Sequence, residues 1–319
     1  MKQKSKNALF ALVVAAIAFP LLPAGAQLNG PLAPYKRQPA PGSIQIDVDM
    51  VLVNVTVGDA YGHIVANLEK KNFQLFEDTV EQEILTFSRE DVPASIGLLF
   101  DTSGSMADKM DASRQAMARF LQKSNPNDEF FLINFDNRPE LDSRFTSDIE
   151  QLQRQSASLK PKGRTALLDA IDLGVTQMKS ARYDRHILLV VSDGGDNHSR
   201  HHEVEIRNLL KESDCQLYAL GIFDARDMKR TSEEREGPGL LSELAVMTGG
   251  HLYQATKLSE LIDLSGQIGT ELRSQYILGY KPTDLRHDGR WRRIKVGLTP
   301  SHDPPLTARA RTGYYSPRD

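Results

Sequence analysis

The stretch SIGLLFDTSGSMADKM, residues 95–110, sets an apolar segment directly before a polar loop. Residues 96–100 predict a buried β-strand, and residues 107–123 carry apolar side chains at helical spacing. Between them, residues 101–105 contain one acid, three hydroxyl side chains and a glycine. Asp, Ser and Gly are ordinary turn formers, so this loop is either a polar turn or part of a metal site. The rest of the chain must decide between the two.

Strands and helices alternate from residue 92 to residue 273. Continuous apolar segments predict strands at 128–135, 185–191, 215–223 and 251–255. Amphipathic spacing predicts helices at 148–159, 165–179, 203–212, 240–250 and 258–274. Apolar strands separated by helices indicate a mostly parallel sheet that is covered on both faces. The predicted fold class is therefore α/β, with a doubly wound, Rossmann-like sheet.

Two β segments flank this α/β block. Residues 43–91 and 274–319 show the alternation of apolar and polar residues that is typical of half-buried strands. Each segment is small for an independent hydrophobic core. We expect the two segments to pair into a small β-sandwich, with residues 92–273 inserted between them. Two separate β modules are the alternative.

Residues 1–26 have the organisation of a secretory signal peptide. The positive segment MKQKSKN precedes the apolar segment ALFALVVAAIAF, and small residues Ala24 and Ala26 precede the expected cleavage point. An uncleaved membrane anchor is the alternative, but the apolar run is short for a bilayer span. The proline-rich residues 27–42 predict a linker. We expect an exported protein, periplasmic or secreted, with no stable membrane span after cleavage.

The composition is that of an ordinary globular protein. The 319 residues are 40% hydrophobic and 25% charged, and the formal net charge is −3. A mildly acidic chain without a long basic stripe lacks the field that nucleic-acid binding requires. Cys215 is the only cysteine, so no intrachain disulfide can form. It lies in an apolar strand, where a core side chain is favoured over a reactive thiol.

Polar residues stand at three places that a doubly wound sheet brings to one edge. Asp101, Ser103 and Ser105 follow the first strand of the block. Asp193 follows a later strand, and Thr165 begins a helix. Ligands of such sheets bind outside the carboxyl ends of the strands. Each residue alone fits a turn or a helix cap, but their order and spacing together indicate a metal site.

The motifs DTSGS (101–105), GRTALLDA (163–170) and VVSDGGDN (190–197) resemble those of the von Willebrand factor A domain, which carries a metal-ion-dependent adhesion site. The resemblance extends over the whole α/β block. It implies that Ser103 and Ser105 ligate a metal through their hydroxyls and that Thr165 ligates directly or through water. It further implies that Asp101 and Asp193 act mainly through bridging waters and hydrogen bonds. The expected partner is a protein that supplies a carboxylate to the metal.

This donor set favours Mg²⁺. A hard divalent cation takes oxygen ligands and keeps several waters. Hydroxyls supply oxygen without charge, so the ion stays electrophilic toward a carboxylate of the partner. Mn²⁺ fits the same donors, and Ca²⁺ fits less well because it favours more ligands.

The flanking segments carry a second resemblance. The N-terminal stretch VTVGDAYGHIVANLEKKNFQLFEDTVEQEILTF and the terminal stretches YILGYKP, RWRRIKV and ARARTGYY are similar to an exported bacterial VWFA-related family of the acidobacterial type. This resemblance supports the order of the segments. It implies no particular activity.

Other polar groups near the three loops have plainer explanations. His198, His201 and His202 could form a second metal site, but their spacing matches no common zinc motif. An exposed loop rim is the favoured interpretation of these histidines. Asp196 is interpreted as part of the rim or loop structure, and Asp169 as support for the loops or a hydrogen bond near the helix start. Neither acid is interpreted as a ligand.

The sequence favours binding over catalysis. It contains no Gly-x-Ser-x-Gly motif and no glycine-rich phosphate loop, and no general base stands beside the metal loops. We interpret the chain as a non-enzymatic, metal-dependent adhesion or interaction protein. A structural scaffold of an envelope assembly is one alternative, and a hydrolase that uses the metal as a Lewis acid is a less favoured one. The charged stretch 223–239 predicts a solvated surface loop, with a part in ligand specificity as the alternative.

Overall fold

A computed structural model of the protein describes residues 50–223, 232–299 and 305–318. The first segment holds β1 (Val51–Gly58), β2 (Phe73–Glu77), β3 (Val80–Gln82) and β4 (Ile84–Ser88). The strands of the α/β block are β5 (Ser95–Asp101), β6 (Glu129–Phe135), β7 (Pro139–Thr146), β8 (His186–Ser192), β9 (Cys215–Ile222) and β10 (Leu252–Ala255). Its helices are α1 (Met110–Lys123), α2 (Ile149–Ser158), α3 (Leu167–Met178), α4 (Glu203–Glu212), α5 (Ser232–Thr248) and α6 (Leu261–Arg273). The last segment holds β11 (Tyr276–Tyr280), β12 (Trp291–Leu298), β13 (Thr307–Arg309) and β14 (Gly313–Tyr315).

The central sheet has six strands in the order β10-β9-β8-β5-β6-β7. All neighbouring pairs are parallel except β6 and β7, which are antiparallel. The predicted α/β fold class is therefore confirmed. The sequence does not predict the edge strand β7, because PELDSRFT contains only two large apolar residues, Leu141 and Phe145. Both pack against the core of one sheet face, which provides the tertiary contacts that this strand needs.

Helices cover both faces of this sheet. One core forms where α1, α2 and α6 pack on one face, with Met117, Phe120 and Ile268 fully or almost fully buried. The other forms where α3, α4 and α5 pack on the opposite face, with Ile171 and Leu244 fully buried. The continuous apolar character of β5 and β8 follows from this arrangement, since each strand is buried on both faces.

The flanking segments form two antiparallel four-stranded sheets. Their strand orders are β13-β1-β11-β4 and β14-β12-β2-β3, so each sheet combines strands from before and after the α/β block. In one sheet Val53 lies opposite Leu278, and in the other Leu75 lies opposite Val296. Buried side chains of both sheets share one hydrophobic core.

The sandwich contains two strands that the sequence pattern does not separate. The stretch after the turn at Glu77-Asp78 predicts one strand, but the chain leaves one sheet after β3 and enters the other as β4. The single residue Glu83 joins them. Strand β14 lies near the end of the described chain, where three residues give too short a pattern to predict a strand.

A buried glutamate joins the α/β block to the sandwich. Glu271 of α6 is fully buried. Its carboxylate accepts hydrogen bonds from the Tyr218 hydroxyl at 2.9 Å, from the Tyr253 hydroxyl, and from the Arg309 guanidinium at 2.7 Å. Burial and the nearby Glu271 carboxylate raise the pKa of Tyr218 well above its usual range. Because Arg309 lies on β13, this cluster fixes the last helix of the block to the sandwich.

Several sequence predictions concern residues that lie wholly or partly outside the described ranges. The signal peptide at 1–26 and the linker at 27–42 lie outside them, as does the beginning of the strand predicted before Met50. Within the described residues, no helix is both long enough and apolar enough to cross a bilayer. Cys215 is buried, and burial raises the pKa of its thiol to about 12, so the side chain is a neutral part of the core.

Candidate metal site

The five predicted site residues lie at one edge of the central sheet. Asp101 is the last residue of β5, and Asp193 follows the adjacent parallel strand β8. Thr165 stands two residues before α3. The first strand of the block, β5, has β6 on one side and β8 on the other, so the strand order reverses at this point. The topology therefore places the three loops where a doubly wound sheet forms its binding crevice.

The loop after β5 folds back on its own acid. One carboxylate oxygen of Asp101 accepts a hydrogen bond from the Ser103 backbone N–H at 2.8 Å. The chain then makes a 3₁₀ turn over Gly104–Met106. This turn brings the Ser103 and Ser105 hydroxyl oxygens to 3.0 Å from each other. The alternation of Asp-x-Ser-x-Ser thus places two hydroxyls side by side above the end of the strand.

Ser192 connects this loop to the loop after β8. Its hydroxyl donates to the second carboxylate oxygen of Asp101 at 2.6 Å and accepts from the Gly194 N–H at 2.9 Å. Both Asp101 and Ser192 are fully buried. The sequence offers a signal for this role, since Ser192 directly precedes Asp193 at the end of an apolar strand.

The third loop is hydrogen-bonded to the other two. The Lys162 N–H donates to the Thr102 carbonyl at 2.8 Å, and the Gly104 N–H donates to the Gly163 carbonyl at 3.1 Å. The Thr165 N–H donates to the Asn197 side chain at 3.0 Å. Thr165 itself is buried, and in the described part of the chain its hydroxyl has no hydrogen-bond partner. The hydroxyl oxygen is therefore available to ligate a metal.

The buried carboxylates of Asp101 and Asp193 lie close enough in this site for their charges to interact. Burial, together with the nearby Asp193 carboxylate, raises the pKa of Asp101 to about 7. One oxygen of Asp193, Oδ1, is buried and has no hydrogen-bond partner among the described residues. An unpaired buried carboxylate oxygen costs free energy, and a cation or a cation-bound water would satisfy it. The electrostatics therefore fit a bound cation.

The donor chemistry fits the same conclusion. Within the ranges given above, no three His, Cys, Asp or Glu side chains group together as a metal-holding cluster. The available donors are instead the hydroxyls and carboxylates of the five predicted residues. Oxygen donors with few charges suit Mg²⁺, which retains several waters, better than Zn²⁺, which takes nitrogen and sulfur ligands.

A lysine that the sequence pattern did not single out lies against this site. The Lys109 ammonium donates to the other Asp193 oxygen, Oδ2, at 2.8 Å and to the Ser105 carbonyl at 3.0 Å. The side chain is only 18% exposed. Its position four residues after Ser105 is the one sequence signal, because a short turn returns residues at that spacing toward the loop.

The remaining polar residues near the loops have structural partners. Asp196 accepts hydrogen bonds from the Leu167 and Leu168 N–H groups and so caps α3. Asp169 accepts from the Arg200 and His201 backbone N–H groups at 3.0 Å. The contacts of Asp169 agree with its predicted support of the loops. Asp196 is predicted only as part of the rim or loop structure, and its capping of α3 is a more specific role.

The three histidines do not converge on a common site. The His201 ring contacts Asp169 at 2.9 Å, and this hydrogen bond raises the pKa of His201. His202 precedes α4 and exchanges capping hydrogen bonds with Glu205. His198 is exposed, and its backbone N–H donates to the Thr165 carbonyl. They form part of the loop surface.

The prediction of a surface loop over 223–239 is wrong for its C-terminal part, where α5 begins at Ser232. Gly237, Pro238 and Gly239 predict a break, yet the helix continues through them. Gly237 serves packing within the helix, because it lies against Gly194, whose φ of +85° is left-handed. A Cβ atom at Gly237 would approach the Gly194 carbonyl oxygen to 2.0 Å. Residues 231–234, Thr-Ser-Glu-Glu, match the S/T-x-x-E helix-start pattern that could have predicted this helix.

Gly237→Ala is therefore expected to lower the free energy of unfolding by about 1–3 kcal/mol, the usual cost of overpacking. Gly239→Ala is the matched control, because a Cβ atom there meets nothing within 4 Å. This control is expected to be neutral or to add up to ~1 kcal/mol, since alanine is the better helix former. Urea denaturation of both variants measures the difference. Equal stability of the two variants would contradict the close contact of α5 with the Asp193 loop.

Comparisons with known proteins show what parts of this chain are similar to. The sequence-family model of the von Willebrand factor type A domain matches residues 96–195, which include the loops at 101–105 and after β8. A sequence search of curated proteins gives no match. A von Willebrand factor type A structure from Catenulispora acidiphila is 11% identical with a TM-score of 0.50, over 79% of this chain and 74% of that one. The family match supports a von Willebrand factor type A domain over residues 96–195, and the structural similarity supports the fold.

Two further solved structures are similar to part of the chain. The conserved hypothetical protein BatB from Bacteroides thetaiotaomicron is 19% identical, with a TM-score of 0.44, over 57% of this chain and all of that one. The vWF domain of the type V pili tip protein Mfa5 from Porphyromonas gingivalis is 14% identical, with a TM-score of 0.47. That similarity covers 56% of this chain and 95% of the Mfa5 domain.

Proposed function

We propose that the protein is an exported interaction protein that binds a partner through a divalent metal, with Mg²⁺ as the preferred ion. The observation that carries this proposal is the unpaired, buried Asp193 Oδ1 beside a second buried acid and two adjacent hydroxyls. The match to the von Willebrand factor type A domain supports a role in protein interaction.

The residues of the three loops would have different roles in such a site. Ser103, Ser105 and Thr165 would ligate the metal through neutral hydroxyls. Asp101 and Asp193 would hold its waters, and Ser192 keeps Asp101 in place through a 2.6 Å hydrogen bond. When bound, the metal would supply a positive centre that a carboxylate of the partner can reach. Because the three ligating side chains carry no charge, they leave the positive charge available for that carboxylate.

Export is part of the same proposal. It is supported by the signal-peptide pattern of residues 1–26 and by the proline-rich stretch that follows. A protein without an intrachain disulfide can still be stable outside the cytoplasm, because the α/β block and the sandwich each have a buried core. We place the mature protein in the periplasm or outside the cell.

A capture experiment tests the proposed function. Immobilised mature protein, residues 27–319, is incubated with envelope extract in Mg²⁺ and in EDTA, and Asp101→Ala is compared with Asp108→Ala. Asp108 is an exposed acid of the same loop without a role in the site, so its variant controls for charge. We expect partners to be retained by the wild-type protein and by Asp108→Ala in Mg²⁺, and to be lost in EDTA and with Asp101→Ala.

The other outcomes identify the alternatives. Partners that remain bound in EDTA would indicate a structural scaffold in which the domain makes metal-independent contacts. Turnover of generic ester or phosphate substrates that depends on Mg²⁺ and on Asp101 would indicate a hydrolase. Either result would contradict metal-dependent adhesion.

A further inference from the structure

Lys109 is a charged side chain at the site that is not among the predicted ligands. Its ammonium lies between the Asp193 carboxylate at 2.8 Å and the Ser105 carbonyl at 3.0 Å. Both acceptors belong to residues that would hold the metal. The lysine therefore contacts two of the three loops, at a position where the Asp193 carboxylate favours a positive charge.

The local helix does not explain this placement. Lys109 is the residue immediately before α1, where the helix N-terminus disfavours a cation and favours an anion. A lysine side chain in such a position would ordinarily extend into solvent, which retains its hydration and its rotamer freedom. Its ammonium is instead turned onto Asp193, which is 3% exposed. The attraction of the buried carboxylate outweighs both effects.

The contact also divides the two oxygens of Asp193. Oδ2 is occupied by the Lys109 ammonium, whereas Oδ1 has no partner among the described residues. A monovalent ammonium therefore compensates part of the negative charge of the two buried acids and leaves the rest uncompensated. A divalent cation at the Ser103 and Ser105 hydroxyls would share the Asp193 carboxylate with the Lys109 ammonium. The two cations carry charges of the same sign and would repel each other.

We propose that Lys109 is a tethered cation that competes with the metal for Asp193 and so sets the metal affinity of the site. This inference rests on the proposed metal site. In the metal-free protein Lys109 stabilises the buried carboxylate of Asp193. In the metal-bound protein it repels the ion and lowers the affinity. Lys109 thus acts on the metal through Asp193 as a positioning and affinity-determining residue.

The test compares metal binding with stability of the metal-free protein. Mature wild-type protein, Lys109→Gln and Lys109→Met are stripped of metal and titrated with Mg²⁺ and with Mn²⁺ by calorimetry, and the metal-free melting temperature is measured by circular dichroism. We expect both variants to bind metal at least tenfold more tightly and to melt at a lower temperature without metal. The glutamine variant can still donate to Asp193, so it retains the hydrogen bond without the charge.

Two controls separate this effect from general electrostatics. Lys109→Arg keeps the charge, and its affinity is expected to stay within about threefold of wild type. Lys162→Gln removes an exposed charge on the neighbouring loop and is expected to change neither measurement appreciably. Circular dichroism spectra verify that each variant is folded.

The outcomes distinguish this inference from the proposed function. If wild-type protein binds metal but Lys109→Gln binds it equally or more weakly, Lys109 does not compete and this inference fails while the metal site stands. If neither wild-type protein nor any Lys109 variant binds metal, the metal site and this inference both fail.

Discussion

Glu271→Ala is expected to lower the free energy of unfolding by about 3–5 kcal/mol, because removal of one partner from a buried ion pair leaves the other uncompensated. Glu271 is fully buried in α6, and its carboxylate accepts hydrogen bonds from Tyr218, Tyr253 and Arg309. Alanine would leave the buried Tyr218 hydroxyl, the half-buried Tyr253 hydroxyl and the Arg309 guanidinium without their acceptor. Urea denaturation of the mature protein measures the loss.

Glu243→Ala is the matched control for this variant. Glu243 also pairs with an arginine, Arg207, but its side chain is 55% exposed. An exposed ion pair contributes at most about 1 kcal/mol. A loss below about 1 kcal/mol for Glu271→Ala, equal to that of the control, would show that Glu271 does not hold the last helix to the sandwich.

Asp193→Asn is expected to weaken Mg²⁺ binding by about 100-fold, equivalent to ~2.8 kcal/mol. The amide is similar in shape to the carboxylate but lacks the negative charge that holds the waters of the metal and attracts Lys109. Calorimetric titration of Mg²⁺ into the metal-free variant measures the change.

Asp108→Asn controls for the loss of one negative charge near the site. Asp108 is exposed, and its variant is expected to bind Mg²⁺ within about twofold of wild type. Mg²⁺ binding by Asp193→Asn that matches this control would exclude Asp193 from the site.

The α/β architecture could be predicted because its signals are local and strong. Strands such as β5 and β8 are continuous apolar runs, and the helices between them have regular amphipathic spacing. Strand β7 has no such signal, because it pairs on one side only and depends on tertiary contacts of Leu141 and Phe145. The division of one predicted strand into β3 and β4 likewise depends on a change of sheet that periodicity cannot show.

The loops of the candidate site could be predicted because parallel strands end at the same edge of a sheet. The motif residues identified Asp101, Ser103, Ser105, Thr165 and Asp193. The structure places them on adjacent, hydrogen-bonded loops, while their role as ligands stays a prediction. Lys109 could not be assigned in this way, because its significance depends on a contact with a residue 84 positions away.

The start of α5 shows the opposite limitation. The sequence Gly237-Pro238-Gly239 predicts a break in a solvated segment, since glycine and proline favour turns. In the structure Gly237 is buried against Gly194, and the absence of a side chain permits the close contact of helix and loop. A glycine that packing requires cannot be distinguished by sequence alone from a glycine that a turn requires.

The most direct test of the proposed site is calorimetric titration of Mg²⁺ into metal-free mature protein, with Asp101→Ala titrated in parallel. The wild-type protein is expected to show saturable binding at a single site and a melting temperature that rises with Mg²⁺. Asp101→Ala, verified as folded, is expected to show neither. Absence of binding heat and of any rise in melting temperature with Mg²⁺ or Mn²⁺ in the wild-type protein would contradict the metal site.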